Sequence, residues 1–579
     1  MCHKKLLVLF LGIIIPAIAH AEKFVVFFQG VNQAQEQNIR NGLNLLEQAR
    51  TKELTRDEIR AFYESGKEEI RLALQPFGFY DVQVDSQFID TKSPLQITYR
   101  ITLNRVTRVD KLHIGLTGDG SENSQLFRSI NVFPLKKGDP FNHQTYESGK
   151  NVLIQEAINQ GFIKAYFNKH QVVVDLSEFT ADIDLSLDTG PQYHMGEIHF
   201  NLGYYDHTFL QRFKTFSNDD PYRLEEVVEL ESRLLQSNLF SSIYTTPSFD
   251  ESQHSVPLNI VLEEAPANRY LVGAGYDTNT RLRGRLGWER KKVNPFGHQV
   301  QTHFKVSEKD TLLNGHYIIP GKKPWVDQYR FSLGYANEEY KDKPSELYTI
   351  EVSEIRLLSA WTRTLALRYL REDFKDSDFI KESSTFLLPS ITFSRSKLDH
   401  VTTPRNGYRL QLSVRGGLDA LLSDHDFIQF NAQYKWLKAI SEEGTLHART
   451  ELGATIPNQI AELPLSIRFY AGGNDSIRGF RYRSLPNEID KEGNLQPVGG
   501  AYLLLGSLEY DHTLWGPLKW AIFLDGGSAL RKIEDDLQLG AGVGLRWQTP
   551  IGPIKLDVAK PLTNAAEVLR LHFSFGPEL

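Results

Sequence analysis

From about Arg269 onward, apolar and polar residues alternate with a strict period of two in segments about ten residues long, a pattern that few folds accommodate. Tyr329, Phe331, Leu333 and Tyr335 alternate with Gln328, Arg330 and Ser332, and Tyr408, Leu410, Leu412 and Val414 with Arg409, Gln411, Ser413 and Arg415. Residues 299–306 put Val300, Phe304 and Val306 on one face and Gln301, His303 and Lys305 on the other, and Phe430, Tyr434 and Trp436 alternate with Gln429, Asn431, Gln433 and Lys435. A soluble protein would have to pair two such apolar faces across a dry core. A membrane barrel turns the apolar face to lipid and the polar face to a wet lumen. Ten residues is the length of a tilted membrane strand, and the polar faces carry arginine and glutamine regularly, so the barrel is favoured. Roughly 310 residues at about 20 per strand plus turn give approximately 16 antiparallel strands, and an even number lets both ends meet.

The first 265 residues follow another rhythm. Residues 24–31 read as a strand, 34–46 and 56–74 as amphipathic helices, the second opened by the Thr55-x-x-Glu58 capping pattern, and 79–84 as a strand. Two further units repeat this order. Helix 145–160 leads through Gly161-Phe162 into 165–167 and the strand 172–174, and helix 224–237 leads through Asn238-Leu239-Phe240 into a strand pair ending at 259–263. Helix-to-strand joints at Gly78, Gly161 and Asn238 recur about every 80 residues. The expectation is a multidomain chain of three small α+β modules followed by the barrel.

His3, Lys4 and Lys5, an apolar core over 6–18 and Ala19-His20-Ala21 read as an export signal, with the mature chain starting near Glu22. Cys2, the single cysteine, leaves with it, so no disulfide is expected. No later apolar run reaches the length of a spanning helix. The net charge of −7 comes from interspersed signs, which gives no basic stripe for nucleic acid. No phosphate-loop, H-E-x-x-H or G-x-S-x-G motif occurs, so neither an enzyme nor a cofactor is expected. Gly540, Gly542 and Gly544 read as inward glycines of a strand, and the scattered histidines suggest no metal site.

Two places invite a function. Ser476-Ile477-Arg478-Gly479-Phe480 lies on a long loop between residues 470 and 501, and Phe523-Leu524-Asp525-Gly526-Gly527 follows on a strand. Alternation sends Trp520, Ile522 and Leu524 to lipid, hence Phe523, Asp525 and Gly527 inward; likewise Leu504, Leu508 and Tyr510 face out and Glu509 in. An arginine on a glycine-jointed loop, matched by a strand carboxylate, suits anchorage of the loop inside a polar lumen; the alternative is an ordinary exposed arginine. In a wet lumen the loss of one partner is expected to cost less than the roughly 3–5 kcal/mol of a dry pair. The second place is the closing seam. The first strand, 270–276, carries inward Gly273 and Gly275 between outward Val272 and Tyr276; the last turns Leu569, Leu571, Phe573 and Phe575 to lipid before Gly576-Pro577-Glu578-Leu579. Gly576-Pro577 is expected to interrupt the ladder and leave either an exposed edge or a frayed end.

Gly78-Phe79-Tyr80-Asp81-Val82, Gly138-Asp139-Pro140-Phe141 with Tyr146, Gly190-Pro191-x-Tyr193 with Gly196, and Asp220-Pro221-Tyr222 resemble the joints of polypeptide-transport-associated (POTRA) domains. With the Arg478 and Asp525 motifs, the chain resembles the outer-membrane protein assembly superfamily, and within it the outer-membrane subunits of translocation and assembly modules, over essentially its whole mature length. The resemblance implies a signal peptide at 1–21, POTRA modules at 22–105, 106–191 and 192–265 in the periplasm, and an outer-membrane barrel at 266–579. It implies a lumenal lock of Ile477, Arg478, Gly479 and Phe480 with Glu509, Phe523, Asp525 and Gly527. It also implies a lateral gate between Val272, Gly273, Gly275 and Tyr276 and Leu571, Phe573, Phe575 and Gly576, offering unpaired backbone groups to a substrate strand. The implied function is ATP-independent insertion of outer-membrane proteins such as autotransporters. The implied partners are the bilayer, unfolded substrates and a periplasm-spanning inner-membrane partner of the TamB type, without cofactors or nucleic acid. Two alternatives stay open: a two-partner-secretion pore exporting an exoprotein, for which two modules and a plug helix are expected, and a passive porin-like channel, which leaves the upstream modules unexplained.

Overall fold

A computed structural model describes residues 23–91, 94–201, 203–340, 344–375, 381–400, 404–457, 460–489, 495–549, 552–563 and 569–575. The signal segment and the Gly576-Pro577 ending lie outside these residues. The chain divides into two compact units, one running to Ile198 with 216–227 and 247–258, the other comprising 199–215, 228–246 and everything from Asn259 on.

In the first unit, the strand Leu95–Leu103 lies between Phe24–Gln29, to which it is parallel, and Val82–Ile89, to which it is antiparallel. Helix Arg56–Leu74 covers this sheet. Its capping box forms as the sequence indicates: the Thr55 side chain accepts from the Glu58 N–H while Glu58 accepts from the Thr55 N–H at 2.8 Å. Ile59, Ile70 and Leu74 thereby pack on Ile97 and Tyr99. The helix expected over 34–46 is broken into Gln33–Gly42 and Asn44–Thr51, because Leu43 takes an extended conformation and buries its side chain in that core. The strand expected from Phe79 begins at Val82, Phe79 making only an isolated bridge to Val106. A second sheet has the same order, Arg108–Thr117, Thr180–Asp188, Tyr166–Asp175, beneath helix His143–Asn159. A third sheet, whose strands are divided between the two units, runs His194–Phe200, Ser255–Glu264, Phe240–Pro247 and follows the order of the others. The three joints share one backbone state: Gly78, Gly161 and Asn238 have φ of 84°, 87° and 56°. Glycine adopts this left-handed turn freely and asparagine at small cost.

In the second unit, sixteen described strands close a barrel in sequential order with antiparallel neighbours, from Asn268–Asp277 to Arg570–Phe575. Alternation is obeyed: Val272, Leu333, Val352, Leu367, Val543 and Leu571 are exposed on the outer face. Such a continuous apolar surface far exceeds what water tolerates on a soluble protein. Inside, cross-strand ion pairs line the wall, among them Arg368 with Glu351, Arg363 with Glu354 and Arg356 with Asp327. No described helix is long and apolar enough to cross a membrane, which says nothing against crossing by strands.

Two irregularities shape the wall. Strand Lys381–Leu398 pairs with Gly407–Gly417 only from Ser390 onward, and Pro389, which has no N–H to give, stands where pairing stops. Beyond it the backbone groups of Leu387 and Thr385 are met by the Ser423 hydroxyl and by Asp424, so a turn substitutes for a strand. The other irregularity is the loop between strands Gly444–Ile456 and Tyr502–Trp515. It leaves the wall at residue 457, earlier than the expected 470, because the segment around 463–470 turns inward: Leu463 and Ile467 pack on the lumenal Phe386, Leu388 and Phe427.

Candidate functional site

Asp525 is the footing of the loop. It accepts the backbone N–H of Arg478 at 3.0 Å, its Nε at 2.7 Å and its Nη2 at 2.9 Å, and the Ser507 hydroxyl at 2.7 Å. Arg478 also pairs with Glu509, lies 3.5 Å from Asp557, and sets its guanidinium 3.4 Å from the centroid of the Phe523 ring. Arg546 stands on the far side of both acids, 3.1 Å from Glu509 and ion-paired with Asp557. Two cations and three carboxylates thus alternate, and each charge has opposite neighbours. Burial opposes the Arg478 charge, but the hydrogen bonds and charge of Asp525, then of Glu509, outweigh it and hold the guanidinium above its ordinary pKa.

The expectation of a wet pair is corrected here. Arg478 is 5% exposed and Asp525 0%, because the loop itself fills the lumen around them. Removing one partner therefore leaves a nearly buried charge without its main counter-ion, at a cost approaching the roughly 3–5 kcal/mol of a buried pair.

The neighbours of Arg478 divide the work. Ile477 and Phe480 are buried against Leu503, Leu505 and Ala529. Gly479, at φ 100°, gives its N–H to His572 Nε2 at 2.9 Å. Gly527 serves the wall instead: a Cβ there would stand 1.8 Å from the Leu504 carbonyl oxygen. The inward glycines of strand Gln538–Thr549 are the bed of the lock. A Cβ at Gly540 would meet the Arg478 carbonyl oxygen at 2.0 Å, one at Gly542 the Phe523 ring at 2.4 Å, and one at Gly544 the Asp557 carboxylate at 1.8 Å. Sequence reasoning placed Glu509, Phe523 and Asp525 but missed Ser507, Arg546, Asp557 and His572. The signal was present, since all four occupy inward positions of strands adjoining Asp525 or the seam.

The loop is held at further points around the lumen. Ser466 hydrogen-bonds buried Glu372, Gln429 donates to the Ile467 carbonyl at 2.9 Å, Arg449 donates to the Ser476 carbonyl at 2.8 Å, and Arg483 pairs with Glu338 at 3.0 Å. A polar cavity of about 530 Å³ adjoins the lock, bordered by Arg283, Lys435, His447 and Lys555.

At the seam, the described first and last strands pair at two positions, Tyr276 with Phe575 and Asp277 with Ser574. Thr278 adds an N–H to the Phe573 carbonyl, and the Tyr276 and Phe573 rings lie 6.0 Å apart. Gly275 permits the approach, since its Cβ would fall 2.5 Å from the Phe575 carbonyl oxygen. Val272 points outward and is 82% exposed, whereas Gly273 faces Arg285 across the next strand. Leu571 is exposed on the outer face, and Gly576 lies outside the described residues. By contrast, the first strand is paired with its other neighbour along all of 268–277.

A closed sixteen-stranded barrel, plugged by its own arginine-pinned loop and preceded by small α+β modules, defines the class. The chain belongs to the Omp85 superfamily: the model described as the Omp85 superfamily domain matches residues 228–578, and one described as POTRA domain TamA domain 1 matches residues 26–103. Among curated proteins it is 26% identical over 374 residues to the outer membrane protein assembly factor BamA of Nitratidesulfovibrio vulgaris, covering 59% of this chain and 46% of that one. It is 20% identical over 577 residues to BamA of Neisseria meningitidis serogroup B, covering 86% and 70%. The chain spans about half the length of the first curated relatives it matches, 46% and 51%. Among solved structures, BamA from Haemophilus ducreyi lacking POTRA domains 1-3 superposes with a TM-score of 0.66 at 16% identity, over 81% of this chain and 99% of that one. CdiB from Escherichia coli superposes at 0.51 and 12% identity, over 82% and 90%. At these identities both show the fold alone.

Proposed function

We propose that this chain inserts outer-membrane proteins such as autotransporters without ATP, as the outer-membrane subunit of a translocation and assembly module (TamA). In this reading three POTRA modules, 22–105, 106–191 and 192–265, stand in the periplasm behind a cleaved signal at 1–21, and the barrel, 266–579, sits in the outer membrane. The modules receive unfolded substrate and dock a periplasm-spanning partner of the TamB type through their strand edges.

The match of residues 228–578 to the Omp85 superfamily domain carries the reading, with the seam between the first and last strands as the place where it acts. A membrane barrel has no use for an open edge, since each unpaired backbone group in hydrocarbon costs several kcal/mol. Among the described residues the last strand meets the first at Tyr276 with Phe575 and Asp277 with Ser574. Edges parted there would be templates on which an incoming strand gains hydrogen bonds that lipid denies it. Val272, Gly273, Gly275 and Tyr276 then form one lip of a lateral gate and Leu571, Phe573, Phe575 and Gly576 the other. The lock around Arg478 holds the loop in place inside the barrel beside that gate. The match of residues 26–103 to the first TamA POTRA domain supports this assignment within the superfamily.

The test is integration of a denatured autotransporter barrel into liposomes that contain this protein or a porin of similar size. Faster protease-resistant integration than with the porin, reduced by Arg478→Ala, is the expected result. Equal integration together with solute flux would replace the reading with a passive pore.

A further inference from the structure

The loop that Arg478 anchors also reaches the seam, by residues the lock does not use. Asn474 lies between the two closing strands: its Nδ2 donates to Asp277 Oδ2 of the first strand at 2.8 Å, and its Oδ1 meets His572 Nδ1 of the last strand. His572 Nε2 in turn accepts the Gly479 N–H at 2.9 Å. These contacts admit one consistent polarity. An accepting Nε2 puts the proton on Nδ1, which gives it to the Asn474 oxygen, which leaves the amide NH₂ for the carboxylate. Asp277 Oδ1 is occupied by the Asn279 N–H at 2.7 Å, so the chain of donors ends on a filled acceptor. Asp277 and His572 are both nearly buried, 6% exposed each, which makes an unmet partner costly.

We infer that Asn474 and His572 are positioning residues that bolt the seam, joining Asp277 to the last strand through the side chain of a loop residue. The inference rests on the reading of the seam as a gate, and it makes the loop the element that sets how readily the gate opens. Two features support a bolt over incidental packing. The contacts cross the seam where Asp277 pairs with Ser574, and they engage both strands from a segment far from either in sequence. In addition, Gly479 of the arginine lock donates into the same imidazole, which fixes the ring and its tautomer.

The experiment is amide hydrogen exchange on the full chain in lipid nanodiscs, read at Thr278 and Phe573 across the seam and at Arg478 within the lock. Asn474→Ala is expected to speed exchange at the two seam amides by about tenfold while the Arg478 amide exchanges as in the wild type. The exchanged pair Asn474→Asp with Asp277→Asn keeps every donor facing an acceptor: the new carboxylate accepts from His572 Nδ1 and from the new amide, whose oxygen still serves the Asn279 N–H. It is expected to restore slow exchange. Unchanged seam exchange in Asn474→Ala, or fast exchange that the swap does not restore, overturns the bolt. Because the readout needs no substrate, the bolt stands or falls separately from the insertion activity.

Discussion

The carbonyl oxygen of Arg478 lies 2.0 Å from where a Cβ on Gly540 would stand. The lock is therefore specified by an absence in the wall as much as by its charges. Gly540→Ala forces the loop backbone away from strand Gln538–Thr549 without touching a charge, at about 1–3 kcal/mol for overpacking. The expected outcome is faster trypsin cleavage at exposed Arg481 while the barrel stays folded, as judged by its resistance to unfolding in detergent without heat. Unchanged cleavage would show that the loop accommodates the methyl group.

Charge removal acts through a different cost. Arg478→Ala takes the guanidinium from buried Asp525, leaving it the backbone N–H of residue 478 and the Ser507 hydroxyl, and is expected to weaken loop anchorage by up to about 3–5 kcal/mol. Arg478→Lys keeps the charge but loses the fork that reaches both oxygens of Asp525, and falls between. A double-mutant cycle with Asp525→Asn, read by the same cleavage rate, separates the pair from its surroundings; a coupling near zero would count against the pairing.

How much of this was legible in the sequence depends on what a pattern of two can express. Parity gave the faces of Phe523, Asp525 and Glu509, because pleating enforces it whatever lies on either side, and the length of the alternating stretch gave the count of about sixteen strands. Parity cannot tell what fills the lumen. The pair was thus expected to be wet, whereas the loop that buries it, entering from residue 457, is a tertiary event that no local period announces. Arg546, Asp557 and His572 lay on inward positions in plain view, but nothing in their spacing said that neighbouring strands bring them to one point. Leu43 is the same lesson on a small scale: periodicity carried a helix through it, and core packing broke it.

At the seam, Gly275→Val should push the last strand away, since even a Cβ meets the Phe575 carbonyl oxygen at 2.5 Å. With cysteines placed at the paired positions 276 and 575, oxidative cross-linking is expected to fall severalfold in that background. Equal yield would mean that the strands close by another path.

The Ser423 and Asp424 clip makes a separate claim about the wall. Ser423→Ala with Asp424→Ala leaves the backbone of Thr385 and Leu387 without these partners beyond Pro389. Hydrogen exchange at those two amides is expected to rise by at least about tenfold, with residues 391–398, which are paired to the next strand, unaffected.

In the first module, Glu58 is held at a pKa of about 2 by its hydrogen bond from Lys52 and then by those from Thr55. A depressed carboxylate stabilises above its ordinary value of 4.5 and loses that contribution as pH falls toward 2. The difference in melting temperature of the N-terminal transition between wild type and Glu58→Gln should be full at pH 6 and shrink toward pH 2. A difference independent of pH would remove the carboxylate from the account of the cap.

The loop has footings on opposite sides of the barrel: Glu338, Glu372 and Gln429 on one arc, Glu509, Asp525 and His572 on the other. Mechanically it is a strut across a hoop. A hoop flattens under lateral pressure, and a strut fixed at both rims resists that flattening independently of how the hoop is joined. The pressure profile of the surrounding bilayer is thus borne by the loop as well as by the sheet, and strains applied to one rim are delivered directly to the other.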